Sequence, residues 1–175
     1  MRVHAVLLTA LLTTAPALAA DTPSHQHRSH QHGAARLQVS LEGRALQVAF
    51  EGPADNILGF EHAPRTEAQK GAVARAEQRL RQTSDLFMTP SAADCQPQPA
   101  RVEMKLPAPG SRETHSEIEV EWSWVCGNPG ALAHIDIGLF KAFPRLKELR
   151  AHVVTAQGQR TAVLRPKTAR LKIGS

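Results

Sequence analysis

The sequence predicts an α+β fold: a mainly antiparallel β-sheet of about seven strands, one main helix and one structural disulfide. Three observations carry this. Apolar and polar residues alternate along segment after segment, the period of strands with one buried face. Only "TEAQKGAVARAEQRLRQ" combines a helical period with a helix-start signal. The chain holds two cysteines, Cys95 and Cys126, an even number in a chain that begins with an export signal.

That signal occupies residues 1–20. Arg2 supplies a positive start, "AVLLTALLTTAPALA" is an uncharged apolar core, and Ala17-Leu18-Ala19 fits the small-x-small rule for cleavage after Ala19 or Ala20. The apolar run is short and rich in Thr and Pro for a membrane span, and no later stretch is long enough to be one. The expected exported chain has no membrane span. It is a flexible His-rich arm, residues 21–33, followed by a single α+β domain, residues 34–175. In an oxidising compartment Cys95 and Cys126 should pair, and closing that loop contributes about 3–4 kcal/mol in the chain-entropy model. The competing reading is two thiolate ligands on a metal, although the spacing is neither CxxC nor a zinc-ribbon pattern.

From Asp21 to Gly33 no aliphatic, Phe, Trp or Tyr side chain occurs, so nothing there anchors a core. "RLQVSLEGRALQVAFEG" follows. Leu37, Val39 and Leu41 alternate with polar residues, and Leu46, Val48 and Phe50 repeat the pattern. A two-residue turn at Gly43-Arg44 sets Leu41 against Leu46, Val39 against Val48 and Leu37 against Phe50, with all six on one face. "GPADNILGFEHAP" is turn-rich, with one helical turn closed by Gly59. The helix begins at a capping box of Thr66 and Gln69, and Ala68, Ala72, Val73, Ala76 and Leu80 form a slim apolar stripe. "ARVEMKL" alternates, and "PAPGSRET" is a loop. In "HSEIEVEWSWVC", Ile118, Val120, Trp122, Trp124 and Cys126 point to the core while Glu117, Glu119, Glu121 and Ser123 point away. "HIDIGLF" is a short strand, "KAFP" a turn, "ELRAHVVTAQGQRTAVLRP" a hairpin about Gln157-Gly158, and "ARLKI" a last strand.

The net charge is +5, with much of the excess near the C-terminus. Few aromatics, no tyrosine and an export signal argue against nucleic acid as partner. Solvated strand faces, with some attraction to anionic headgroups, account for the charge. No GxSxG, HExxH, P-loop or GxGxxG occurs, so no catalytic constellation is evident and the protein is not expected to be an enzyme.

Histidine stands out. "SHQHRSHQHG" places His25, His27, His30 and His32 within eight positions. Imidazole is the commonest protein ligand for Zn²⁺, bonding at about 2.0–2.1 Å. In an extended chain residues i and i+2 lie on one side, so His30-x-His32 and His25-x-His27 are bidentate candidates. His62, in "FEHAP", and His115, in line with Glu117, are further candidates from the fold. His134 and His152 read as sheet histidines. Histidine does not stand third in the exported chain, so there is no amino-terminal copper–nickel motif. Bare imidazoles nevertheless leave Zn²⁺, Cu²⁺ and Ni²⁺ undistinguished.

"HQHGAARLQVSLEGRALQVAFEGPADNILGFEHAP", a helix, Cys95, "HSEIEVEWSWVC" and "LFKAFP" together resemble the ZrgA-like family of zinc-regulated periplasmic proteins of Gram-negative bacteria. The resemblance runs from about His30 to the C-terminus and is most specific at "NILGFEHAP" and the H-x-H-G start. It implies zinc binding in the periplasm, in zinc uptake alongside an inner-membrane transporter. His30, His32, His62 and His115 become the residues of choice, and Cys95 and Cys126 match the family's paired cysteines. Such proteins often carry a long His/Asp-rich insertion before the strand that here is expected to begin at His115; in this chain that place holds only "PAPGSRET". The rival expectation is a structural or partner-binding periplasmic protein in which metal is incidental.

Overall fold

The structure, a computed structural model, describes residues 31–112 and 115–174. The predicted signal peptide and most of the predicted arm, with His25, His27 and His30, lie outside the described residues. The strands are β1 (Ala34–Glu42), β2 (Ala45–Pro53), β3 (Phe87–Met88), β4 (Cys95–Pro97), β5 (Arg101–Lys105), β6 (Glu117–Cys126), β7 (His134–Ile137), β8 (Glu148–Thr155), β9 (Gly158–Leu164) and β10 (Arg170–Lys172). The helices are α1 (Asp55–Leu58), α2 (Glu67–Arg81) and α3 (Leu139–Ala142). Seven strands form the larger sheet, in the order β4-β6-β2-β1-β8-β9, with β5 also paired to β6. A smaller sheet runs β10-β7-β3.

The first hairpin has the register that the alternation predicts: Leu37 opposite Phe50, Val39 opposite Val48, Leu41 opposite Leu46. Five of these six side chains are buried and Leu41 is half-buried. The long strand β6 adds Ile118, Val120, Trp122 and Trp124 to the same face. Phe87 of the smaller sheet then tilts onto Trp122 at 4.7 Å and meets Trp124 edge-on at 5.7 Å, so one core lies between the two sheets.

The large sheet is mixed rather than wholly antiparallel, because β1 and β8 run parallel, Leu37 beside Ala151 and Val39 beside Val153. Alternation of period two is the same in either direction, so the pattern carried no sign of it. The second hairpin turns at Ala156-Gln157, one residue earlier than expected, with Gly158 already opposite Thr155.

The capping box of α2 is complete, Thr66 and Gln69 each holding the other's backbone. Its predicted stripe is buried only in its C-terminal half, at Ala76 and Leu80; Ala72 and Val73 are half-buried and Ala68 is exposed. The Trp122 indole N–H donates to the Leu80 carbonyl at 2.7 Å, fixing that end of the helix to the sheet. Cys95 and Cys126 are register partners on β4 and β6 and are joined as a disulfide. Their thiolate-ligand alternative is thereby removed. Among the described residues no helix is long and apolar enough to cross a membrane.

On the smaller sheet, Arg170 forks onto both oxygens of Asp136, at 2.6 and 2.9 Å. The hydrogen bond from Arg170 holds the Asp136 carboxyl below its ordinary range. A carboxyl lowered on folding stabilises above its unfolded pKa, about 4, and that contribution is lost as pH falls through the lower native value. Arg170→Gln should therefore return the Asp136 titration midpoint upward. Carboxyl NMR titration reads this, and an unchanged midpoint counts against the assignment.

Candidate functional site

At one end of the large sheet β1, β6 and β8 begin and β2 ends. Three separate stretches of chain, around residues 31–34, 54–63 and 143–148, meet there.

Asn56, buried to 1 % exposure, joins the first two. Its side-chain oxygen accepts from the Gly33 N–H at 2.6 Å, and its amide nitrogen donates to the Ala34 carbonyl at 2.8 Å. The Gly33 carbonyl in turn accepts from the backbone N–H groups of Lys147 and Glu148, at 2.7 and 2.9 Å, which ties in the third stretch. Gly33 has φ +83°, a left-handed conformation that a side chain at this position would strain. Asp55 completes the clasp. Its carboxylate takes the Arg145 guanidinium at 2.8 and 3.0 Å, and Arg145 Nε also donates to the Asp55 carbonyl at 3.1 Å. Gly59 ends α1 in the left-handed region and lies beneath the Arg145 side chain, Cδ 3.6 Å from where a β-carbon would stand.

The clasp joins the two stretches of chain that bear two of the predicted histidines. His32, directly before Gly33, lies with Nε2 3.3 Å from Glu61 Oε1. His62 follows Glu61 in the chain, stacks on Phe60 at 5.2 Å and has Nδ1 2.9 Å from the Ala63 carbonyl. The Ala63 carbonyl only accepts hydrogen bonds, so in a neutral His62 the proton sits on Nδ1 and the lone pair on Nε2. Metal-ligating histidines are characteristically oriented in this way, one nitrogen held by a carbonyl or carboxylate and the other presented.

His115 stands at the same end of the sheet and is exposed. The next residue, Ser116, accepts the Ala54 N–H at 3.1 Å, which places His115 one residue from the strand's contact with α1. His134, 3.9 Å from Asp136, is on the smaller sheet, and His152 is on the solvent face of the larger one. They are the sheet histidines that the sequence suggests. Among the described residues no group of three or more His, Cys, Asp or Glu is gathered as for a metal ion. The sequence pattern missed Asp55, Asn56, Glu61 and Arg145. The buried pair Asp55-Asn56 inside an apolar turn was the available signal.

A family model described as the ZrgA family zinc uptake protein matches residues 29–173. The chain belongs to the ZrgA family of zinc uptake proteins. The match includes His30, His32, the clasp, His115 and both cysteines, and begins after His25 and His27. No curated protein matches the chain. Membership of the ZrgA family connects the chain with zinc uptake.

Proposed function

We propose that this ZrgA family member binds Zn²⁺ in the periplasm and serves zinc uptake as an accessory protein. It collects or buffers the ion for an inner-membrane transporter and is not an enzyme. The observation that carries the reading is that the clasp joins the two stretches bearing His32 and His62, with His32 beside Glu61, the residue before His62. His30 lies two residues before His32 in the sequence and His115 is at the same sheet end, so the proposed ligands are these four imidazoles, the number zinc's tetrahedral set takes. Glu61 orients His32, and Glu117 and Glu119 raise the local cation concentration. Imidazoles ligate only when neutral, so affinity should fall below about pH 6.

The test is zinc calorimetry on tag-free protein beginning at Asp21, beside His62→Ala, His115→Ala and a form lacking residues 21–30. Each of the three should weaken the tightest site by about tenfold or more. If the deletion removes only weak binding, the segment is a collector and the site lies in the fold. If intact protein binds zinc no more tightly than a peptide of residues 21–33, the reading fails. Competition with Cu²⁺ and Ni²⁺, which imidazole sites bind at comparable or greater strength, decides the ion.

A further inference from the structure

The large sheet has a second face, turned away from the core. Across it runs a row in register: His152 on β8, Gln38 on β1, Ala49 on β2, Glu121 on β6 and Arg101 on β5. Long polar side chains flank the small Ala49, and Pro99 rises at one border, so the sheet dips into a hollow of about 360 Å³. Among the described residues neither Glu121 nor His152 has an ion-pair or side-chain hydrogen-bond partner. The neighbouring row is Arg36, Glu51, Glu119 and Glu103, with Glu119 directly opposite a glutamate on either side. Like charges directly opposite on adjacent strands are destabilising. Arg36 pairs with Glu51, Lys105 with Glu119 and Arg101 with Glu103 at 3.9 Å, so of the two rows' carboxylates Glu121 is the one left without an ion pair among the described residues. A polar segment with a cation, laid over this half of the face, would give Glu121 a partner.

We propose that this hollow is the seat of the chain's own segment 21–30, "DTPSHQHRSH". Three observations select that occupant. The described chain starts at Gln31, whose side-chain oxygen accepts from Arg150 at 3.1 Å. Arg150 is on the second face of β8, beside Arg36, so the segment enters from this side of the sheet. Its reach suffices: ten residues extend up to about 33 Å, whereas β8 to β6 is three strand spacings, about 14 Å. Its chemistry is complementary. Arg28 is a cation that could pair with Glu121, Asp21 is the segment's one acid, and its Ser and Gln suit a hollow lined by Gln38, Gln47 and Ser123. Should His30 also ligate zinc, seat and ion compete for one segment, and a weaker seat means tighter zinc.

The test needs no zinc and is run in EDTA, so it succeeds or fails independently of the zinc reading. Two-dimensional NMR compares protein beginning at Asp21 with protein beginning at Gln31. The seat predicts shifted resonances at the Gln38 and Gln47 side-chain amides and at Ala49, Glu121 and His152. Glu121→Gln in the longer protein should collapse most of those shifts, and high salt should do the same. Glu121 is exposed, and unchanged shifts in the core confirm that the variant folds. Differences confined to the surroundings of Gln31 and Arg150 overturn the proposal. So do differences that grow with protein concentration, which assign the hollow to a second copy.

Discussion

Asn56→Ala is expected to destabilise the protein by about 2–4 kcal/mol and to weaken zinc binding together with it. The side chain is an amide with both ends in use, accepting from Gly33 and donating to Ala34. Alanine keeps the short α1 turn but leaves a donor and an acceptor unpartnered where water has poor access. Each such group costs about 1–3 kcal/mol. For a domain of this size the melting temperature should fall on the order of 10 °C. His32 is the neighbour of Gly33, so loosening Gly33 also removes the fixed partnership of His32 with Glu61. His62→Ala supplies the contrast. His62 is exposed, and its loss should lower zinc affinity with little change in melting temperature. Equal loss of stability in both variants would mean that the clasp is not what holds the sheet end together. Asn56→Ala with normal zinc affinity would mean that His32 does not need the clasp.

Why the clasp escaped the sequence pattern follows from its contacts. Asn56 reaches Gly33 and Ala34 across more than twenty residues, and Asp55 reaches Arg145 across 90. Such pairs leave no period behind. The hairpin is the opposite case: six apolar residues at spacing two share a face only in one register, and the structure has that register. The phase of β6 was equally legible, since it put Cys126 with the tryptophans on the core side. Strands β3 and β4, with two and three residues, are too short to show a period at all. For the site, residue type was legible and assembly was not. Histidine at 32 and 62 named the chemistry, but only the fold shows that a carbonyl holds Nδ1 of His62 and that His32 lies beside Glu61.

The double variant Cys95→Ala, Cys126→Ala should lose about 3–4 kcal/mol of stability and keep its zinc affinity. The bond closes a separation of 31 residues, so its removal frees the unfolded chain over a long loop. Native contacts at that corner persist without it: Arg44 and Cys126 exchange two hydrogen bonds, Arg44 Nε to the Cys126 carbonyl at 3.0 Å and the Cys126 N–H to the Arg44 carbonyl at 2.8 Å. The Gly127 N–H also donates to the Asp94 carbonyl at 2.8 Å, so the variant should fold. Urea unfolding measures the loss as a lower midpoint at unchanged slope. Zinc affinity is the informative half. Cys126 ends β6 and His115 precedes its start, so the disulfide and the proposed site stand roughly 30 Å apart along one strand. A coupling over that distance would require the strand to shift as a body, and Trp122, hydrogen-bonded to Leu80 in mid-strand, opposes such a shift. Stability and zinc affinity should therefore separate, the disulfide governing one and the clasped histidines the other. A double variant that folds but no longer binds zinc would place the ion at the wrong end of the sheet and return the question to the cysteines.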